Sequence, residues 1–189
     1  MLSEPSYAVF TEGLSRTFGG VKAVDNLNLA ISPGEIYGFL GPNGAGKTTL
    51  IRMLVTLLKP TGGRAVIAGH DLLSQAAEVR LRIGAALQDA GLDNKQTGLE
   101  LLRLQGRLYG LSSKETRHRI ADLLSMVDIG DAIDRQIGTY SGGMKRRLDL
   151  AASLIHNPKI LFMDEPTTGL DPLSRVRVWE EIEAINREI

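Results

Sequence analysis

The sequence predicts an α/β fold with a mostly parallel sheet core, antiparallel strands at the N-terminus and an inserted α-helical subdomain. Three observations point there. Two short apolar runs, Ile36–Leu40 and Ile160–Met163, read as strands buried on both faces. A glycine-rich loop follows the first run and leads into a helix. Between the runs, from about residue 94 to 150, apolar residues recur at helical spacing.

Taken in order, Ala8–Leu14 and Ala23–Ile31 alternate apolar and polar residues, the period of half-buried strands. Pro33-Gly34 marks a turn before the first apolar run. A helix is expected from Gly46 to Leu58, closed by Pro60, and a strand over Arg64–Ala68. Thr97-x-x-Glu100 and Ser112-x-x-Glu115 are capping boxes, each opening a helix. Ile120, Leu123, Leu124 and Val127 make one apolar face behind the second box. Ser141 opens a third helix with Met144, Leu148, Ala151 and Ile155 on one side, stopped by Asn157-Pro158. A last helix aligns Val178, Ile182, Ile185 and Ile189, and Trp179 is expected to pack there.

Composition narrows the function. The chain has 189 residues, 43% of them hydrophobic, enough for one domain with a real core. Twenty-two basic residues balance 22 acidic ones, which argues against a nucleic-acid partner. With no cysteine, a disulfide framework and a thiolate metal site are excluded. No secretory signal is read at Met1–Pro5, and no apolar run reaches the roughly 18 residues of a membrane span. Any membrane spans must come from another polypeptide.

Gly41-Pro42-Asn43-Gly44-Ala45-Gly46-Lys47-Thr48 matches G-x-x-x-x-G-K-[ST] in full, the phosphate loop of a P-loop NTPase. Glycines let successive N–H groups turn inward on phosphate oxygens, and the following helix adds its positive end. Lys47 is placed to contact the β- and γ-phosphates, the Thr48 hydroxyl to ligate Mg²⁺, and Thr49 to continue the cradle. Chance produces such a match in on the order of one chain in a hundred, before its place between strand and helix is counted. After the second apolar run, Asp164 and Glu165 emerge at a strand's carboxyl end, where open α/β sheets bind ligands. An aspartate there holds Mg²⁺, and the glutamate can polarise the attacking water. The alternative is a solvated acidic turn. Asn94-Lys95-Gln96-Thr97 resembles the guanine-reading N-K-x-D motif but lacks its aspartate, so a GTPase is set aside.

Tyr140-Ser141-Gly142-Gly143-Met144 resembles the ABC ATPase signature L-S-G-G-Q, in the family's order between the phosphate loop and the acidic pair. As bare chemistry, Ser-Gly-Gly at a helix N-terminus is a second anion site or an ordinary serine cap. The resemblance implies that Ser141, Gly142 and Gly143 face the phosphate loop of a second, antiparallel copy, with two ATP molecules sandwiched between. Met144 departs from the usual glutamine and removes one amide. The family also assigns Phe18 to stacking on adenine, against an ordinary core phenylalanine. It assigns Gln88 to sensing Mg²⁺ and the water, against a surface glutamine. Asp171, in Gly169-Leu170-Asp171, falls in its loop toward the partner domain, against a plain turn. Lys145-Arg146-Arg147 reads as a solvated helix face.

Ser141 to Ala152 and Arg107-Leu108-Tyr109-Gly110-Leu111 resemble the ATPases of bacterial daunorubicin/doxorubicin-resistance exporters. The resemblance implies a single nucleotide-binding domain, with segments 1–93 and 151–189 forming the core and 94–150 the helical subdomain. Its cofactors are ATP and Mg²⁺, its partners a membrane-spanning permease and a second ATPase domain, and its place the cytoplasmic face of the membrane. A soluble ABC ATPase acting on ribosomes or in DNA repair, or a non-catalytic nucleotide binder, stays as an alternative. The family's switch histidine follows the glutamate, whereas His70, His118 and His156 all precede Glu165. A C-terminally truncated chain that binds MgATP and hydrolyses it poorly is therefore expected.

Overall fold

The computed structural model describes residues 7–87, 91–127 and 129–166, with positions 176, 179, 180, 182–184 and 186 beyond them. Two compact units result, Met1–Ile83 and Gly84–Ile189.

In the first unit, β1 (Val9–Phe18) and β2 (Val21–Ile31) pair antiparallel through the two-residue turn Gly19-Gly20. Their φ values of 51° and 89° suit the turn whose twist matches the flanking strands, and glycine adopts both without steric penalty. β3 (Gly62–Ile67) pairs antiparallel with the other side of β1, and β4 (His70–Asp71) with β3, giving the order β2-β1-β3-β4. Val9, Leu14, Ile31 and Ile67 are buried from this sheet, as are Leu50, Met53 and Leu54 of α1 (Lys47–Leu54) and Val79 of α2 (Ala76–Arg80).

Three expectations for this unit change. Ile36–Leu40 belongs to no strand, and Leu40 is fully exposed at 100%. A run of this composition needs strands on both sides to become a buried strand, and neither described sheet includes it. The helix expected to reach Leu58 stops at Leu54. Thr56 turns left-handed (φ 66°), its N–H donating to Met53 O while the Leu57 N–H donates to Arg52 O. That is a Schellman stop, with threonine where glycine is usual. Arg80 donates to the Thr56 hydroxyl at 3.1 Å and helps hold this conformation. β3 starts two residues early, at Gly62, and Ala68 falls in the turn to β4.

In the second unit, β5 (Ile83–Ala86, its first residue belonging to the other unit) and β6 (Ile160–Met163) form a parallel two-stranded sheet. The helical block comprises α3 (Gly98–Leu108), α4 (Ser113–Met126) and α5 (Gly142–Leu154). Leu102, Leu123, Val127, Ile137, Leu148, Leu154 and Ile155 lie at its centre. Both capping boxes form as expected: Thr97 Oγ1 accepts from the Glu100 N–H and Ser112 Oγ from the Glu115 N–H, each at 3.2 Å. The glutamates accept in return from the N–H groups of Thr97 and Ser112, each at 2.8 Å. These bonds lower the pKa of both carboxyl groups. Ser141 caps α5. In the last segment Ile182 is buried but Trp179 is 46% exposed, so the indole does not pack as expected. Its size and apolarity do not decide which side of a helix meets the core. Val178, Ile185 and Ile189 lie outside the described residues.

Candidate functional site

The phosphate loop lies in the first unit, between the exposed Ile36–Leu40 run and α1. Gly44 and Gly46 are left-handed, at φ 83° and 88°. Gly46 is the N-cap of α1, and a Cβ there would lie 2.1 Å from Ala23 O on β2. No other residue type fits both the conformation and the gap. α1 has neither a side-chain cap bond nor an acidic residue in its first turn. The N–H groups at Lys47, Thr48 and Thr49 thus keep their donor capacity for an anion. Lys47 Nζ folds over the loop and donates to Gly41 O at 2.6 Å and Pro42 O at 3.0 Å. Asn43 and Ala45 complete an exposed rim, with the Ala45 N–H donating to Pro42 O. This donor-rich loop, with one ammonium folded over it, suits a phosphate group.

The acidic pair and the Ser-Gly-Gly segment lie in the second unit. Asp164 is 2% exposed, and its N–H donates to Ala86 O at 3.1 Å, continuing the contact between β6 and β5. Glu165 follows with φ 51°, a left-handed conformation uncommon outside glycine and asparagine. Ser141 Oγ accepts from the Met144 N–H at 3.2 Å, while Ser141 and Gly142 remain exposed. Tyr140 is buried, and its hydroxyl donates to Ala132 O at 2.5 Å, anchoring the segment from beneath.

The expectation of a solvated Lys145-Arg146-Arg147 face fails at Arg146. None of the three is fully solvated, and the Arg146 side chain is only 16% exposed. Its guanidinium donates to Leu87 O at 2.8 Å, Asp164 O at 3.1 Å and Ala86 O at 3.4 Å. It also lies 3.6 Å from the Asp149 carboxylate. Burial pushes the Asp149 carboxyl up to about 6, more than the Arg146 charge lowers it. Lys145 donates to the Asn94 side chain at 3.0 Å. Sequence reading missed Arg146 because its partners are main-chain carbonyls distant along the chain, which no motif records.

Phe18 is no core residue. It is 44% exposed at the tip of the β1–β2 hairpin, with the Arg16 guanidinium 4.4 Å from its ring centre. Asn94 and Gln96 use their carbonyls to receive the N–H groups of Gly138 and Ile137, and Thr97 caps α3, so that segment is structural. Gln88 and Asp171 lie outside the described residues. Among the described residues no group of three or more histidine, aspartate or glutamate side chains could hold a metal ion. Mg²⁺ in a nucleotide site commonly takes only one or two carboxylates beside phosphate and water, so such a site needs no cluster of three.

A glycine-rich loop opening a helix, with an acidic pair at a strand end, defines a P-loop nucleotide-binding protein. The chain belongs to the ABC transporter family, whose profile matches residues 24–168. It is 51% identical over 185 residues to the daunorubicin/doxorubicin resistance ATP-binding protein DrrA of Streptomyces peucetius, covering 98% of this chain and 56% of that protein. The chain thus spans little more than half the length of that relative. Among solved structures it resembles cbiO1 of Clostridium perfringens, part of the ABC transporter complex cbiONQ. The TM-score is 0.86 and the identity 28%, over 97% of this chain and 75% of that one. It also resembles a dimeric ATP-binding cassette in a post-hydrolysis state with ADP and Pi, at TM-score 0.84 and 27% identity, over 95% and 83% of the two chains.

Proposed function

We propose that this chain binds and hydrolyses ATP to power a separate membrane-spanning permease, in an exporter of drugs or antibiotics. The observation that carries this is the loop at Gly46: left-handed, pressed on Ala23 O, and opening a helix with no side-chain cap. The likeness to a daunorubicin/doxorubicin resistance protein supports the drug-export assignment. In this reading the chain works at the cytoplasmic face of that permease; among its described residues no helix is long and apolar enough to cross a membrane.

In this reading the chain is one nucleotide-binding domain, with core segments 1–93 and 151–189 and a helical subdomain at 94–150. The N–H groups of the Gly41–Thr49 segment cradle the phosphates, and Phe18 stacks on adenine. Lys47 exchanges its two loop carbonyls for β- and γ-phosphate oxygens, which form stronger charge-assisted bonds. Thr48, Gln88 and Asp164 would hold Mg²⁺, which would offset negative charge on the phosphates. Glu165 takes the proton of the attacking water. Ser141, Gly142, Gly143 and Asp171 act across the face shared with a second copy.

Isothermal titration of MgATP into wild-type and Lys47→Ala chains tests the core of this. The variant is expected to lose at least about tenfold in affinity, with its secondary structure intact. Equal affinity for both proteins would remove the loop from the binding site.

A further inference from the structure

Arg146 joins three pieces of the second unit. Its own helix, α5, begins at the Ser-Gly-Gly segment. Its two terminal nitrogens reach Leu87 O and Ala86 O at the end of β5, and Asp164 O just past the end of β6. Asp149, one turn along α5, lies 3.6 Å from Nη1 and is itself 15% exposed. Both charges are therefore largely out of water, where a guanidinium fork is most effective and is poorly replaced by a point charge.

The peptide it grips matters most. Asp164 O belongs to the bond leading into Glu165, whose φ of 51° is unfavourable for a side chain of that size. Such a conformation persists only where its surroundings over-determine it. One side of the turn is held by the Asp164 N–H on Ala86 O, the other by Arg146 on Asp164 O. We propose that Arg146 is a positioning residue for hydrolysis: clamped against Asp149, it fixes the Asp164–Glu165 peptide to the end of β5 and thereby aims the Glu165 carboxylate. This rests on the proposed role of Glu165.

A clamp of this kind predicts a rate defect without a binding defect, because the phosphate cradle lies on other residues. Arg146→Ala should lower kcat by about 10- to 100-fold, as misplacement of a reacting group by about an ångström does, with KM for ATP within about twofold. Arg146→Lys, which can reach one carbonyl but not several, should recover part of the loss. Amide hydrogen exchange supplies a readout independent of turnover. In Arg146→Ala the Asp164 amide should exchange at least about tenfold faster, while protected amides of α3 and α4 stay within about twofold. Unchanged kcat, or unchanged Asp164 exchange, overturns the proposal. So does a parallel loss of kcat and of α3 and α4 protection, which would make Arg146 a general support of the fold. Should the wild-type chain bind MgATP but turn it over too slowly for a kcat comparison, as the missing histidine predicts, the exchange arm alone decides whether Arg146 holds the turn, and unchanged Asp164 exchange overturns the proposal.

Discussion

Asp149 is the group whose removal should reveal itself through pH. Its Oδ2 is buried with no hydrogen-bond partner and sits 3.6 Å from Arg146, a loose ion pair. Burial therefore outweighs the guanidinium, and the carboxyl moves from 3.8 up to about 6. A displacement of about two pKa units corresponds to roughly 3 kcal/mol, the differential cost of charging this carboxyl in the folded chain. The folded state holds its proton more tightly than the unfolded chain does. Its contribution to stability is thus fully present below about pH 4 and is lost as pH rises through about 6. Asp149→Asn keeps the shape, removes the charge and leaves Arg146 its three carbonyl partners. The stability of the variant relative to wild type should therefore climb between about pH 4 and 6 and level off above about 7, by up to roughly 3 kcal/mol. Urea unfolding of both proteins across that range, followed by far-ultraviolet circular dichroism, measures the difference. Carbon-13 NMR of the Asp149 carboxyl gives its titration directly. Parallel stability curves, or titration near 4, would refute the reasoning.

Two further outcomes follow from named contacts. Gly46→Ala would put a methyl group 2.1 Å from Ala23 O in a left-handed residue, so it should destabilise the chain by about 2 kcal/mol or more and abolish ATP binding. Chemical unfolding with ATP titration checks both parts. Glu100 and Glu115 accept from Thr97 and Ser112 and have lowered pKa values, so their contribution is present above the usual carboxylate range. It disappears as pH falls through the lowered values, and Glu100→Gln with Glu115→Gln should flatten the acid limb of a melting-temperature profile.

What was legible in the sequence was local. The two capping boxes need only residues three apart, and both form as read. The phosphate loop was equally plain, because its chemistry is written in consecutive residues. Ile36–Leu40 was misread because an apolar run states what it can bury, not which strand will pair with it. The early stop of α1 was hidden by Thr56, a β-branched residue in a position that usually announces itself as glycine. Arg146 was misassigned to solvent because helical spacing alone placed it on a polar face. Its partners are carbonyls 59, 60 and 18 residues away, and carbonyls carry no sequence signal.

The methionine that breaks the signature pattern can be understood on the same terms. The Met144 side chain is half-buried and packs against the apolar core of the helical block. An amide turned into that apolar cluster would need its own hydrogen-bond partners, whereas a flexible thioether does not. The exchange leaves the cap itself untouched, because Ser141 Oγ accepts from the Met144 main-chain N–H and not from its side chain. Tyr140 secures the segment from the other side through Ala132 O, again without involving residue 144's side chain. The anion-facing groups of this turn are the serine hydroxyl and the glycine N–H groups, and Ser141 and Gly142 stay exposed. Methionine at position 144 thus suits a half-buried site against the helical core, while the chemistry proposed for Ser141-Gly142-Gly143 rests on atoms its side chain does not supply.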